Sequence, residues 1–334
     1  MLNKILLSLA LISLIVALIY APKALRVYKM INLYDQDKIA FNFINMDKVF
    51  QTGPIIPASN KPFVFYVKDF ELPQTYFFEG KDRNLIDALD YYETDGLIVL
   101  NNETILYENY WHDNNQASQH ISWSVAKSFL SALIGIAVER GQIDSINDPI
   151  TKYLKDFTNT GYNNVSIKNL LQMSSGIKFN EDYADYNSDI NRFGRTISFG
   201  TSMREFAKSL ENEKLQGTYN HYVSIDTQML AMLLEEVTGK TVTDNLIDDI
   251  WHKIGMEHDA YYMVDDTGME VALGGLNASL RDYAKFGLLY LNRGFWNGEE
   301  IVPSEWVDAS HRIDEDHLRP GENINSSSAW GYGY

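Results

Sequence analysis

Cysteine is absent from this chain of 334 residues. That absence excludes disulfides, thiol catalysis and cysteine-built zinc sites, and it fits an oxidising compartment without requiring one. Basic charge is also short: 28 Lys and Arg stand against 45 Asp and Glu, a formal charge of -17. Proteins that grip nucleic acid are basic where they touch phosphate, so no nucleic-acid partner is expected. The acidity itself says little beyond solubility and favours no particular substrate charge. Metal spacing is lacking too. His112 and His120, His252 and His258, and His311 and His317 miss the spacing that shares a helix face, and they read as surface or structural residues. Gly239-Lys240-Thr241 resembles the end of a phosphate loop, but Leu234 stands where that loop needs glycine. No metal or organic cofactor is expected. No internal repeat, low-complexity tract or long linker marks a second independent domain.

One long uncharged run is present, from Ile5 to Ala21, with Lys4 before it and Pro22-Lys23 after. Its length lies at the lower edge of a membrane-spanning helix and slightly beyond a usual signal core. No clean small-x-small cleavage site follows it. Residues 1–30 are therefore expected to form an uncleaved membrane anchor, with a cleaved signal as the alternative. Lys23, Arg26 and Lys29 outnumber Lys4, and the positive-inside rule would keep that flank cytoplasmic. Residues 31–95 read as an extension that packs on the core. Thr52-Gly53-Pro54 and Pro57 to Pro62 are loop signals, Phe63 to Val67 a short strand, and Leu85 to Leu89 a helix turn. The aromatics of this segment read as packing.

Chemistry concentrates at Ser124-Val125-Ala126-Lys127, where a lysine amine follows a serine hydroxyl by three positions. Residues at i and i+3 share a helix face, so the amine can reach the hydroxyl it would deprotonate. A nearly all-apolar run, Ser128 to Val138, follows, and Glu139-Arg140-Gly141 closes it with the glycine that favours a left-handed cap. Ser124 would then stand at the first turn of a buried helix, where free N–H groups point at developing negative charge. The plain alternative is an N-capping serine and a surface lysine. Against it stand the apolar run behind the lysine and a tyrosine about a hundred residues on. That tyrosine is Tyr222, in Tyr222-Val223-Ser224-Ile225-Asp226-Thr227-Gln228, followed by an amphipathic stretch that stops at Thr238-Gly239.

In this combination the chain resembles the serine β-lactamase and penicillin-recognising superfamily, close to class C β-lactamases, related esterases and 6-aminohexanoate-oligomer hydrolases. Ser-x-x-Lys and Tyr-x-Ser match two of its three motifs. Gly96 to Glu108 resembles its opening hairpin, Asp148 to Leu154 the segment after the nucleophile helix, and Leu170 to Ile177 its Leu-Leu-x-x-x-Ser-Gly run. Gly274 to Gly287, then Trp296-Asn297-Gly298 and Glu305-Trp306, resemble the stretch before the third motif. That motif, Lys-Thr-Gly or His-x-Gly, does not occur after Tyr222, and the sequence stops at Trp330-Gly331-Tyr332-Gly333-Tyr334. The chain is accordingly expected to be truncated, without the strand that supplies one of two oxyanion-hole donors. Loss of one such donor typically costs about 10²–10³ in rate.

The resemblance implies an α/β (α+β) fold, an antiparallel sheet flanked by helices plus an all-helical lobe, with C-terminal strands missing and residues 96–334 forming the hydrolase domain. It also implies an exported domain, membrane-anchored and extracytoplasmic, against the charge bias. Periodicity alone says only mixed α and β. The chemistry implied is attack by Ser124 on an ester or amide carbonyl, with Lys127 and Tyr222 as proton carriers and the base left open between them. Ser224, Tyr183 and Asp189 are the expected substrate contacts, although the run from Glu181 to Asp189 also reads as a solvated acidic loop. Serine in place of the asparagine of Tyr-x-Asn offers one hydroxyl instead of an amide, which favours esters or linear amides over β-lactams. The alternative is a sensor that acylates and deacylates slowly.

Overall fold

The computed structural model describes residues 2–199, 201–321 and 331–334. Trp330, part of the closing aromatic-glycine stretch, lies outside the described residues. The chain opens with α1 (Leu2–Ile31), a helix of 30 residues, about 45 Å long at the standard rise. It runs on past Pro22, well beyond the apolar run. Every described side chain from Lys4 to Leu25 is exposed, and partial burial begins at Arg26. There the helix docks: Arg26 pairs with Asp266 at 3.2 Å, Lys29 donates to the Lys48 carbonyl, and the Ser198 hydroxyl donates to the Met30 sulfur at 2.8 Å.

The next stretch is built into the body. It contains α2 (Ile39–Phe43), β1 (Thr52–Ile56), β2 (Tyr66–Val67), the hairpin of β3 (Thr75–Phe78) and β4 (Lys81–Asn84), and α3 (Leu85–Tyr91). Asn84 caps α3, its side chain accepting the Asp87 N–H at 3.1 Å. The strand expected over 63–67 shortens to β2, because Phe63 and Phe65 turn to packing: Phe63 meets Phe65 and Trp296 edge-on at 5.4 and 4.9 Å. The expected hairpin forms as β5 (Gly96–Asn101) and β6 (Thr104–Tyr110), turning at Asn102 with φ 50°, a conformation asparagine tolerates.

Then come β7 (His120–Ile121), α4 (Val125–Glu139), the helical run α5 (Ile167–Leu171), α6 (Asp189–Phe199), α7 (Met203–Lys208), α8 (Ser224–Thr238) and α9 (Val242–Leu246), and β8 (Ala260–Met263). After β9 (Leu276–Ala278) the chain finishes with α10 (Leu280–Leu291), the short hairpin β10 (Phe295–Trp296) and β11 (Glu299–Glu300), and α11 (Ser304–Ser310). The main sheet runs β1-β8-β9-β7, antiparallel throughout, and a second sheet runs β2-β6-β5. Antiparallel sheet plus helical lobe is the architecture the resemblance implies.

At the centre lies α4. Every residue from Phe129 to Ala137 is buried, as an all-round apolar helix must be. The Phe129 ring stacks on Phe286 at 3.8 Å, and Trp306 lies so close that a Cβ on Gly135 would sit 2.5 Å from its ring. Gly141, φ 68°, stands just past the end of the helix, as expected from its position. This packing holds the N-terminus of α4 fixed beside β7 and β9.

Candidate active site

The strand-to-helix junction makes the site. Ser122 still belongs to the sheet, its N–H donating to the Leu276 carbonyl at 2.8 Å. Trp123 then turns at φ 43°, a left-handed conformation that costs a bulky residue on the order of 1–3 kcal/mol. Its ring is held by Tyr34, stacked at 6.0 Å, and by Phe43, edge-on at 5.3 Å. The turn leaves Ser124 exposed at the head of α4, and its side chain makes no capping bond. The Ser124 N–H has no hydrogen-bond partner among the described residues, so it is free to meet a developing oxyanion.

One turn on, Lys127 donates to the Ser124 hydroxyl at 3.1 Å and to the Leu273 carbonyl at 2.5 Å. Leu273 is in turn placed by Gln228 of α8, whose side chain donates to the Glu270 carbonyl at 2.8 Å and accepts the Ala272 N–H at 3.1 Å. Burial brings the Lys127 amine down to about 8, against an opposing pull from Glu181. Tyr222 completes the group: its ring lies 5.2 Å from the lysine nitrogen, and it lines the same small cavity as Ser124 and Lys127. Burial pushes the Tyr222 phenol up, the nearby Ser124 hydroxyl working the other way. The segment before Tyr222 is fixed to the Ser-Gly turn, with the His221 N–H donating to the Met173 carbonyl and the Asn220 amide to that of Gln172, both at 2.9 Å. Ser124, Lys127 and Tyr222 are thus brought together from positions a hundred residues apart.

The expected substrate contacts separate. Ser224 is buried where it lines the cavity, but its hydroxyl donates to Glu181 at 2.5 Å and its N–H to the same carboxylate at 3.1 Å. Tyr183 lines the cavity, is exposed, and donates to Glu181 at 3.0 Å. Asp189 stands outside the lining; it opens α6 and accepts the Asn180 N–H at 2.8 Å and Arg192 at 2.5 Å. Glu181 belongs to the acidic run after the Ser-Gly turn that could line the cleft, but nothing in its spacing set it apart from its neighbours. It sits at the N-terminus of α8, where helix N–H groups favour a carboxylate, and its partner Ser224 is 43 residues away in sequence. Behind Tyr222, burial lifts the Asp226 carboxyl well above the usual carboxylate range, and Tyr162 donates to it at 3.0 Å. His112 and His120 both hold Asp95, at 3.0 Å each. No cluster of three His, Cys, Asp or Glu suited to a metal occurs among the described residues.

Two cavities meet at Ser124 and Lys127. The larger, about 590 Å³, is mainly apolar and reaches from Leu273 past α6 to Met30 and Ile31 of α1. The smaller, about 110 Å³, is bounded by Tyr222, Thr227 and Tyr332.

This geometry has relatives. The chain is 30% identical over 223 residues to the 6-aminohexanoate-dimer hydrolase of Paenarthrobacter ureafaciens, covering 65% of this chain and 56% of that one. The chain therefore spans little more than half the length of that relative. A solved structure of a candidate 6-aminohexanoate-dimer hydrolase from Bacillus anthracis superposes with a TM-score of 0.80 at 24% identity, covering 90% of this chain and 80% of that one. A class C β-lactamase in complex with cefoxitin shares the fold at a TM-score of 0.51 and 15% identity, with 68% of each chain covered. The family profile described as Beta-lactamase matches residues 83–334, from the end of the β3–β4 hairpin through the whole serine site. On that match, made over the same strands and helices that carry Ser124, Lys127 and Tyr222, the chain belongs to the β-lactamase family of serine hydrolases.

Proposed function

We propose that this chain is a membrane-tethered serine hydrolase that cleaves a carboxylic ester or amide through an acyl-Ser124 intermediate. The observation that carries the reading is the hydrogen-bonded Ser124–Lys127 pair, with the Tyr222 ring 5.2 Å from the lysine nitrogen in the same small cavity. Burial moves the two proton carriers apart, Lys127 down and Tyr222 up. Opposed shifts of this kind mark acid and base roles. Lys127, in its neutral form, takes the Ser124 proton as the oxygen bonds the carbonyl carbon. The oxyanion forms beside the Ser124 N–H and collapses, and the departing alcohol or amine takes a proton from the Tyr222 phenol. The Lys127 ammonium returns its proton to the tyrosine. Water then attacks the acyl carbon, giving up a proton to the same pair, which passes it to the Ser124 oxygen as its bond to the acyl carbon breaks and the carboxylic acid leaves.

The 30% identical 6-aminohexanoate-dimer hydrolase supports a linear amide over a β-lactam, and Ser224 in place of asparagine supports a linear amide or ester. The exposed stretch of α1 supports the tether, and an extracytoplasmic position is the side we assign. Ser124→Ala tests the reading. The wild-type chain should take up a fluorophosphonate probe and turn over p-nitrophenyl acetate, and the variant should do neither. Undiminished labelling of the variant would sink the assignment; wild-type labelling with no turnover would favour the slow sensor.

A further inference from the structure

The anchor helix is part of the site. Its exposed stretch ends at Leu25, and its docked end, Met30 and Ile31, forms a wall of the larger cavity. From the close of the uncharged run at Ala21 to Met30 is roughly 14 Å along a helix. The cavity therefore lies about that far from a bilayer spanned by α1. The opposite wall is α6, whose Ile190, Phe193, Gly194 and Ile197 fall at the i, i+3, i+4, i+7 spacing of a single helix face, with Asn191 and Arg195 of the same helix also in the lining. Ile31 and Tyr186, both exposed, stand where the lining meets solvent, so the apolar surface runs from the flank of α1 inward to Ser124. Tyr222, which serves the leaving group, lines only the small cavity of the two.

Resting on the hydrolase reading, we propose that the substrate is a long-chain acyl ester or amide drawn from the bilayer. Its acyl chain lies between α1 and α6, and its small alcohol or amine sits beside Tyr222. Cleavage transfers the acyl group to the Ser124 oxygen and then to water, releasing a fatty acid at the membrane surface.

The test uses the full chain in phosphatidylcholine vesicles and p-nitrophenyl esters from acetyl to dodecanoyl, which vary only the acyl side. kcat/KM should rise roughly fourfold per methylene at first, as apolar burial predicts, and level off when the cavity is full. Gly194→Leu supplies the second arm. A Cβ there meets nothing within 4 Å, so the new side chain enters open cavity space, and leucine favours a helix more than glycine does. The ratio of dodecanoyl to acetyl kcat/KM should fall at least tenfold in this variant. A third arm places the dodecanoyl ester in the enzyme's own vesicles or in separate ones. Faster turnover in the shared bilayer supports membrane delivery, and equal rates overturn it. A flat or falling chain-length profile, with acetate still hydrolysed, overturns the acyl-chain assignment and leaves the hydrolase reading standing. If no ester is cleaved and Ser124 takes no fluorophosphonate, the hydrolase reading fails and carries this inference with it.

Discussion

At the scale of single residues, in the proposed mechanism the Lys127 amine decides when the site works. Because it must be neutral to accept the serine proton, and burial sets it at about 8, kcat/KM should climb about tenfold per pH unit below that value. Above it the profile should be flat. The sign for stability is the same: between about 8 and the ordinary 10.5 the folded chain binds fewer protons at Lys127 than the unfolded chain, so this group makes the fold more stable as pH rises there. Glu181 pulls the amine upward, so Glu181→Gln, whose amide oxygen can still accept from Ser224, should move the ascending limb to lower pH. A limb that stays in place would show that Glu181 does not act on Lys127. The serine–lysine pair was legible because one helix face fixes it, and Tyr222 because the resemblance supplied it. Glu181 was not, since nothing in the run from Glu181 to Asp189 says which carboxylate will meet a helix terminus. Asp189, an equally good candidate by type, went to α6 and Arg192 instead.

At the scale of elements, two helix glycines carry opposite instructions. Gly135 of α4 faces Trp306 with no space, whereas Gly194 of α6 faces an opening. Gly135→Ala should therefore destabilise the fold by about 1–3 kcal/mol through overpacking, lowering the midpoint of thermal unfolding by several degrees. Gly194→Leu should leave that midpoint unchanged or raise it. Equal losses for both would contradict the packing described for α4. Element type and order were largely readable: the opening hairpin, the buried α4 with Gly141 after it, and α8 ending at Gly239. The strand over 63–67 was not, because alternating aromatics look alike whether they pair in a sheet or pack on Trp296. The left-handed turn at Trp123 was equally hidden, since only the aromatic box of Tyr34 and Phe43 makes it tolerable.

At the scale of the whole molecule, the uncharged run from Ile5 to Ala21 pointed to a spanning segment but could not show that the last turns of α1, past Pro22, are a wall of the larger cavity. That fact depends on Arg26, Lys29 and Met30 finding partners at Asp266, Lys48 and Ser198. It changes what kind of device the chain is. A helix that is at once stem and wall can pass its tilt on to the wall, to the extent that it holds straight through Pro22. A spanning helix longer than the local hydrocarbon thickness leans to fit, and a thinner bilayer makes it lean further. The lean should reach the gap between α1 and α6, so the acyl length preferred by the enzyme should shift when the vesicles are rebuilt from shorter-chain phosphatidylcholine. An optimum indifferent to lipid length would mean that the docked end moves independently of the stem. With α1 spanning the bilayer as proposed, membrane thickness becomes an input to the reaction, and the helix serves as a mechanical gauge of the lipid it stands in.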